Sequence, residues 1–414
     1  VSLSIDNVII ATNLGIKCHY PKFLLYICSR NNRKMKILFL VYHGFSEISG
    51  ITKKIRNQVK GLRENGHEVH VSYYTFSPDG HRCRYADNTI IADYGTGLTA
   101  AIRQRLSYGC IYDYCMTQGI QFVYARSFMN ANPWLIRLFS RLRRAGIRAV
   151  TEIPTYPYDG EFVGFPLLAR LGLYTDKIFR RRLASQMDAM VTFSDATEIF
   201  GQRTINISNG VDMDSIPLHH PITTPGEIHI VGVAEVHYWH GFDRMIAGLG
   251  EYYNKEERPR EIFFHIVGGV AQSEMHNSVH APGFAELIEK YGIRNRVVFH
   301  GQLHGNELDS VFNRCVFAVG SLGRHRSGIT DIKTLKNREY ATRGLPFIYS
   351  EKDSDFDDKP YVMKAPANES PINVKNILEF IESHIFTPQE IRYTVGSMSW
   401  KNQMKIVVDS VMSD

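Results

Sequence analysis

The stretch DIKTLKNREYATRGLPFIY, residues 331–349, passes from a charged segment into an apolar one. Its two carboxylates, Asp331 and Glu339, stand eight positions apart, with Lys336 between them. On an ideal helix, eight residues leave two side chains about 80° apart, so one helical face does not hold both acids. We therefore predict Asp331 in a loop, and Glu339 in the first turns of a helix that ends at Gly344 and leads into a strand.

The acids and the lysine of this stretch have the chemistry of a sugar-nucleotide site. Carboxylates accept paired hydrogen bonds from vicinal hydroxyls, such as those of a ribose or a hexose. Lys336 stands three residues before Glu339, so both lie on one side of the helix, where the lysine could meet a phosphate. A solvated surface helix has a similar composition, and the rest of the chain has to decide between the two interpretations.

Strand-like and helix-like segments alternate through the first half of the chain. The segment MKILFLVY (35–42) is continuously apolar, as strands covered on both faces are, and apolar residues recur at helical spacing in 51–62. This alternation predicts a parallel sheet with helices on both faces. The further strands predicted here are 67–74, 120–125, 148–153 and 188–194.

The same pattern restarts in the second half, after the proline-rich linker 217–227. We predict two α/β domains, 35–216 and 217–385, with a cleft between them. In open α/β sheets ligands bind beyond the carboxyl ends of the strands, so the residues just after each strand are the candidates for a site. The strands predicted in this half are 227–233, 261–268, 296–301, 315–320 and 345–350.

The first 34 residues differ in pattern from the rest of the chain. They start at Val1 and show no clear apolar period, whereas Met35 opens a clean strand. We predict that 1–34 is an extension outside the core fold. An additional N-terminal structural element is the alternative.

Composition sets limits on the class of protein. The chain has 414 residues, 44% of them hydrophobic and 22% charged, which predicts a globular protein of two domains. Its six cysteines show neither a disulfide framework nor metal-ligand spacing, so we expect free thiols in a reducing, cytoplasmic setting. The net charge of +6 permits anionic partners without requiring them, and no nucleic-acid-binding motif is present.

Glycine-flanked or basic segments come after several predicted strands. Helix N-termini present free N–H groups that hold anions, and arginine side chains clamp phosphates. Ordinary connecting loops and solvated basic faces have the same appearance in a sequence. The candidate donor-binding residues are Gly50, His240, Arg244, Arg324, Arg326 and Lys336.

A second candidate group comes after the fourth predicted strand of the first half. The segment EIPTYPYDG (152–160) brings Glu152, Tyr156 and Asp159 into a proline-stiffened loop at the expected mouth of the cleft. Acids and aromatic rings suit the hydroxyls and faces of a carbohydrate, so we predict these three on the acceptor side. A plain surface loop is the alternative.

At these residues the chain resembles the family-4 retaining glycosyltransferases of the GT-B fold. That family carries two glutamates separated by seven residues in its second domain, where this chain has Asp331 and Glu339. The segment NGVD (209–212) closes the first half as it does in the family, and 399–411 resembles the family's Trp-led closing helix. The likeness covers residues 35–414. Its further matches are Gly50, 297–303, Lys336, Ala341, Gly344, Leu345 and Pro346.

The resemblance implies an α/β protein of the GT-B class, with two Rossmann-like domains facing across a cleft and 386–414 crossing back to the first domain. It implies that Glu339 binds the nucleotide ribose, that Asp331 contacts the transferred sugar, and that no metal takes part. The chain departs from the family at several positions. Val233 and His240 stand where it has arginine and lysine, Asp331 shortens the first acid of the motif, and the histidine that commonly follows the fourth strand has no match in 152–160. Other basic side chains would then have to hold the diphosphate.

One predicted helix could also meet a membrane. In 133–148 the leucines form one stripe and arginines occupy the other side, and a basic amphipathic helix can rest on anionic lipid. A normal packed helix with a solvated basic face is the alternative.

These observations predict a cytoplasmic glycosyltransferase. Its basic helix could bring it to the inner face of the membrane. It would move a hexose from a nucleotide-diphosphate sugar, used as co-substrate without a cofactor, to a glycan or lipid-linked acceptor. Two other classes stay open. One is a non-catalytic subunit that binds a sugar nucleotide, and the other is a sugar-nucleotide epimerase, whose chemistry needs more clustered acids and histidines than this cleft offers.

Overall fold

The computed structural model describes residues 34–45, 50–159, 167–257, 259–276, 282–383 and 386–413. The predicted extension 1–34 lies outside these residues, apart from Lys34. The cysteines among the described residues are free thiols, at Cys83, Cys110, Cys115 and Cys315.

Strands and helices alternate through the first domain, as the apolar periodicity predicts. The strands are β1 (Lys36–Leu40), β2 (Glu68–Phe76), β3 (Arg82–Ala86), β4 (Thr89–Asp93), β5 (Phe122–Arg126), β6 (Arg148–Ile153), β7 (Ala189–Thr192), β8 (Glu198–Ile199) and β9 (Gln202–Asn206). The helices are α1 (Gly50–Glu64), α2 (Gly97–Leu106), α3 (Gly109–Gln118), α4 (Pro133–Arg144) and α5 (Leu167–Ala184).

The centre of the first sheet is parallel, in the order β2-β1-β5-β6-β7-β9. β1 and β5 are buried along most or all of their length, because helices cover both faces. The strands predicted in this half are confirmed. The antiparallel pair β3 and β4 at one edge was not predicted, because Arg82 and Arg84 interrupt the apolar pattern. A turn with positive φ at Asp87 and Asn88 joins the pair, and this DN dipeptide was a hairpin signal.

The second domain repeats the plan. Its strands are β10 (Glu227–Val233), β11 (Glu261–Val267), β12 (Val297–Gly301), β13 (Phe317–Val319), β14 (Phe347–Tyr349) and β15 (Val362–Lys364). Its helices, with those that close the chain, are α6 (Phe242–Lys255), α7 (Gln272–Met275), α8 (Phe284–Tyr291), α9 (Gly305–Arg314), α10 (Leu335–Arg343), α11 (Val374–Ser383), α12 (Pro388–Tyr393) and α13 (Trp400–Met412).

The second sheet is parallel throughout, in the order β12-β11-β10-β13-β14-β15. The strands predicted for this half are confirmed, while β15 is too short to carry a pattern. Short 3₁₀ helices at Tyr238–His240 and Arg324–Ser327 come after β10 and β13, and α10 precedes β14. The carboxyl ends of β10 and β13 therefore open onto segments that contain predicted site residues, and the predicted acid motif leads into β14.

The last helix crosses back onto the first domain. Apolar side chains of α13, among them Trp400, pack with those of α1 in one core. Two glycines make room for the start of α13: a Cβ at Gly61 would lie 2.6 Å from the backbone of Trp400, and one at Gly210 would lie 2.3 Å from its ring. The predicted architecture, with two parallel-sheet domains and a returning C-terminal helix, is confirmed.

Candidate functional site

The two acids, Asp331 and Glu339, lie on either side of the start of α10, as predicted. Oε1 of Glu339 is 3.1 Å from Nη2 of Arg343, one turn later, and Arg343 also pairs with Asp309 at 2.7 Å. Asp331 lies before the helix, with Oδ2 3.6 Å from Nζ of Lys352. Its Oδ1 is shielded from solvent and has no hydrogen-bond partner. Each acid thus already faces a protein cation, and one oxygen of Asp331 is unsatisfied.

A buried group of opposite charges lies beside the start of α10. Lys336 is the second residue of that helix, and its Nζ is shielded from solvent with no hydrogen-bond partner. Glu351, just after β14, is 2% exposed, and both of its carboxylate oxygens are equally shielded and without a partner. Burying a charged group without hydrogen bonds costs several kcal/mol, so this arrangement is costly unless something else satisfies it.

Arg324 and His240 complete this group, and the four side chains act on one another's protonation. Burial lowers the pKa of Lys336, and the charge of Arg324 lowers it further, while Glu351 opposes both. Burial raises the pKa of Glu351, against the pull of Arg324 and Lys336. Burial and the same two cations hold the pKa of His240 well below its usual range, so its imidazole is neutral. The positive charge of the group therefore comes from Arg324 and from Lys336 when it is protonated.

Helix starts border this group. Gly241, with φ of 65°, lets the first turn of α6 approach the segment of Arg324, since a Cβ there would lie 2.6 Å from the backbone nitrogen of Gly323. Thr334, the N-cap of α10, makes no capping hydrogen bond, and its hydroxyl is shielded without a partner. Gly50 is the first residue of α1, its role toward the donor stays a prediction, and 46–49 lie outside the described residues.

Arg244, predicted among the donor-binding residues, has a different role in the structure. Its guanidinium donates to the backbone carbonyls of Ser370 at 2.8 Å, Pro366 at 3.0 Å and Leu322. It is 2% exposed. A phosphate could reach it only by displacing these bonds, so the geometry gives Arg244 a structural role instead of the predicted one.

Arg326 is engaged in the same way. Its guanidinium pairs with Asp243 at 2.8 Å and with Glu369 at 2.5 Å, and it donates to the carbonyl of Tyr238 at 2.8 Å. These bonds fasten the 3₁₀ segment to the first turn of α6. The expected clamp of several arginines and Lys336 is thereby corrected, because Arg326 is committed to holding the segment that carries Arg324.

Glu152, predicted in a loop on the acceptor side, is part of a strand instead. It lies in β6 with 0% exposure, and its carboxylate accepts hydrogen bonds of 2.6 Å each from Gln58, Tyr124 and Arg126. Nζ of Lys54 is 3.4 Å away, and burial lowers the pKa of that lysine to about 7, although the charge of Glu152 opposes the shift. Burial alone would raise the pKa of Glu152, but the two cations hold it below its usual value. The predicted carbohydrate contact is therefore replaced by an interior network of ion pairs and hydrogen bonds around Glu152.

The other two acceptor-side residues do lie after β6. The half-buried ring of Tyr156 meets that of Phe200 edge to face, with centroids 5.8 Å apart. Asp159 pairs with Arg180 at 2.8 Å and with Lys177 at 3.1 Å, and its side chain is 39% exposed. Both remain within reach of solvent, and their role toward an acceptor stays a prediction.

The first domain reaches the acid pair through Asp195, which comes after β7. Its carboxylate accepts from Ser354 at 2.8 Å and lies 3.3 Å from Lys352 and 3.6 Å from Lys333, all three in the second domain. Lys352 is also the partner of Asp331. One lysine side chain therefore links the first domain to the first acid of the motif, a contact that no pattern in the sequence predicts.

Arg338 makes a further interdomain contact that was not predicted from the sequence. It is fully buried in α10, pairs with both Asp353 and Asp355, and donates from Nε to Ser208 of the first domain at 2.9 Å. In the sequence it is one of several charges on α10. The available signal was the pair of acids at alternate positions after β14.

The helix predicted to meet a membrane, 133–148, is α4 followed by the start of β6. Asn132 caps it by accepting from the backbone N–H of Leu135, and Pro133 begins it. Its apolar stripe is buried in the core of the first domain and cannot insert into lipid. Arg137 and Arg144 are exposed and leave a basic outer face. No helix among the described residues combines the length and apolar character that crossing a bilayer requires.

Comparison with solved structures identifies the architecture. The N-terminal domain of Candida albicans trehalose-6-phosphate phosphatase matches with a TM-score of 0.58 at 12% identity, over 92% of this chain and 97% of that one. The catalytic domain of Arabidopsis thaliana starch synthase IV, bound to ADP and acarbose, matches at 0.57 and 9%, over 92% and 99%. The chain has the GT-B fold.

A third solved structure matches this chain with a similar TM-score and coverage. The pneumococcal O-GlcNAc transferase GtfA, in complex with UDP and GlcNAc, gives a TM-score of 0.55 at 9% identity, over 92% of this chain and 99% of that one. A scan against protein-family models finds no match, and a search of curated proteins by sequence finds none either. Within the described residues, no group of three or more His, Cys, Asp or Glu side chains is arranged to hold a metal ion.

Proposed function

We propose that this protein is a glycosyltransferase of the family-4 type, moving a hexose from a nucleotide-diphosphate sugar to a glycan or lipid-linked acceptor, with retention and without a metal ion. One observation carries the proposal: the partnerless, shielded ammonium of Lys336 lies beside Arg324, just beyond strands of the second sheet. Such strand ends are where open α/β sheets bind nucleotides. GT-B neighbours bound to ADP and UDP support the choice of ligand.

The chemistry asks these cations to stabilise a leaving group. Breaking the anomeric bond of the donor builds negative charge on the departing diphosphate, and preorganised cations and N–H groups in a shielded site stabilise that charge strongly. Lys336 and Arg324 are the side chains placed for it. The uncapped start of α10 and the glycine-led start of α6 would add backbone N–H groups.

Glu339 would hold the ribose hydroxyls, which requires it to give up part of its pairing with Arg343. The side chain of Glu339 is 30% exposed, and hydrogen bonds to a charged group are worth roughly 1.5–3 kcal/mol. A ribose can therefore compete, and Arg343 keeps Asp309 as a partner. Asp331, with its unsatisfied Oδ1, would contact the transferred sugar.

The acceptor would approach from the first domain. Tyr156 and Asp159 are the candidate contacts, and the basic face of α4 would help to recruit an acceptor carried on anionic lipid through charge rather than insertion. We expect the protein to act in the cytoplasm, at the inner face of a membrane when the acceptor is lipid-linked.

A non-catalytic sugar-nucleotide-binding subunit is the second candidate. It is favoured by the neutral, buried His240, which stands where the resemblance leads us to expect a lysine. Such a subunit would bind the nucleotide sugar without releasing nucleoside diphosphate.

Release of nucleoside diphosphate from a panel of uridine and adenosine diphosphate hexoses tests the proposal. We expect one donor to be turned over by the parent protein with EDTA present. Asp331→Asn should reduce turnover more than it reduces donor affinity, since its contact would be with the transferred sugar. Binding without any turnover would favour the non-catalytic subunit, and neither binding nor turnover would refute both.

A further inference from the structure

The pair formed by Lys336 and Glu351 has a feature that a simple phosphate clamp does not need. The carboxylate of Glu351 lies within the field of Lys336 and Arg324, yet both of its oxygens lack a hydrogen-bond partner and are shielded from solvent. A carboxylate at this place repels an incoming diphosphate as long as it is charged. The donor site therefore contains its own opposing charge.

Counting protons shows what must happen when a diphosphate enters. In the empty site the pair is either an ammonium with a carboxylate or an amine with a carboxylic acid. In both forms the two groups together hold one titratable proton. A bound diphosphate favours the ammonium and disfavours the carboxylate, so the pair then holds two protons. Burial moves both groups toward their neutral forms, which brings their titrations close together.

We propose that Glu351 is a proton-accepting counter-ion of the donor site, and that the Lys336–Glu351 pair takes up about one proton for each nucleotide sugar that binds. The inference rests on the proposed function, because it concerns the same site. Glu351 is thereby a positioning residue that sets the charge of Lys336 and makes donor affinity depend on pH. Affinity should fall about tenfold per pH unit wherever a full proton is taken up.

Other charged and titratable groups around the pair could contribute to the same pH dependence. Arg324 stays charged in the neutral range. His240, already neutral, could itself gain a proton when an anion binds, and it is the competing source of uptake. Further groups that act on members of this set are His237, Tyr349 and Asp353, together with Lys364, whose ammonium donates to the backbone carbonyl of Glu351.

Titration calorimetry of the full chain measures the uptake directly. Nucleotide sugars are the right probe because their diphosphate is esterified at both ends and, unlike a terminal phosphate with a pKa near 6, does not titrate near neutrality. The bound member of the uridine and adenosine diphosphate hexose panel is titrated in buffers of different ionisation enthalpy. The slope of observed enthalpy against buffer enthalpy gives the number of protons, and we expect about one at neutral pH.

The double variant Lys336→Met with Glu351→Gln removes both members of the pair and leaves no uncompensated buried charge, so it should fold. We expect it to bind at least about tenfold more weakly, with proton uptake near zero. The exposed pair of α6, changed as Lys255→Met with Glu251→Gln, is the matched control and should keep both affinity and uptake.

Three results would overturn the inference. Parent protein that binds a nucleotide sugar without proton uptake would refute it while leaving the proposed function intact. Uptake that persists in the double variant would assign the proton to His240 instead. Absence of binding by every nucleotide sugar would refute the proposed function and this inference with it.

Discussion

Replacing Arg338 with methionine should remove a large part of the stability of the second domain. The guanidinium is buried between Asp353 and Asp355 and donates to Ser208 across the domain boundary. Methionine keeps much of the volume but leaves the buried Asp353 without its cation, and it leaves Asp355 with Lys333 alone, 3.3 Å away. Breaking a buried ion pair from one side typically costs about 3–5 kcal/mol, a large fraction of the stability of a natural protein.

The loss of stability should depend on pH, and the two acids determine whether it grows or shrinks as the pH falls. Burial keeps the pKa of Asp353 above its usual value even beside Arg338. For Asp355, burial alone would raise the pKa, but the charges of Arg338 and Lys333 hold it below the usual value. Removing the arginine takes away a cation that lowers both folded-state pKa values, so the pKa of Asp353 rises further above its usual value and that of Asp355 rises against the remaining charge of Lys333. Stability from such groups is present at low pH and is lost as pH rises, so the variant should recover toward the parent as pH falls.

Urea unfolding followed by tryptophan fluorescence measures the free energy of unfolding of the parent and of Arg338→Met at about pH 8 and about pH 5.5. Arg314→Met, at an exposed position in the same domain, should stay within about 0.5 kcal/mol of the parent. Adding Asp353→Asn and Asp355→Asn to Arg338→Met should restore part of the loss. A deficit below about 1 kcal/mol, or one that does not change with pH, would refute the reasoning.

Three further changes separate structural from functional roles. Glu152→Gln should cost about 3 kcal/mol or more in thermal unfolding, since Lys54 and its neighbours lose a buried anion; a neutral outcome would contradict the network. Gly210→Ala should cost about 1–3 kcal/mol by displacing the closing helix, whereas Gly396→Ala, with open space at its Cβ, should melt near the parent; equal melting would show that α13 is not tightly seated. Arg244→Met should lower the melting temperature without weakening nucleotide-sugar affinity in calorimetry, and a selective loss of affinity would restore its predicted donor role.

The positions of the central strands could be anticipated because parallel strands buried on both faces are continuous apolar runs. β1 and β5 are examples, because nearly all of their residues are buried, and apolar and polar residues do not alternate along them. β3 and β15 could not be found in this way. The first is interrupted by arginines and lies next to the edge strand β4, and the second is three residues long.

Side-chain partners could not be read from the sequence, and the basic residues show why. Arg324 and Arg326 are two positions apart in one loop, yet Arg326 is held by Asp243 and Glu369 while Arg324 lies among the buried charges of the site. Arg244 looked like a solvated or phosphate-facing residue and is bound by carbonyls. Such outcomes depend on acceptors that come from distant parts of the chain.

The acid motif was predictable in position but not in environment. Its spacing placed Asp331 before α10 and Glu339 within it. The cations that hold the two acids differ in how far away they lie along the chain. Arg343 is one helical turn from Glu339 and could have been named from the i,i+4 rule, whereas Lys352 meets Asp331 through a pairing of separate segments.

The central claim is that a nucleotide sugar binds to the second domain with Glu339 on its ribose. Thermal unfolding of the parent and of Glu339→Ala across the nucleotide-sugar panel tests it most directly, with Glu289→Ala at an exposed helix position as the matched control. At a ligand concentration of about 100 times Kd, the free energy of unfolding of the parent and of the control should rise by about 2.7 kcal/mol. The rise for Glu339→Ala should be clearly smaller. A midpoint that no nucleotide sugar raises, or a Glu339→Ala response equal to that of the parent, would contradict the account.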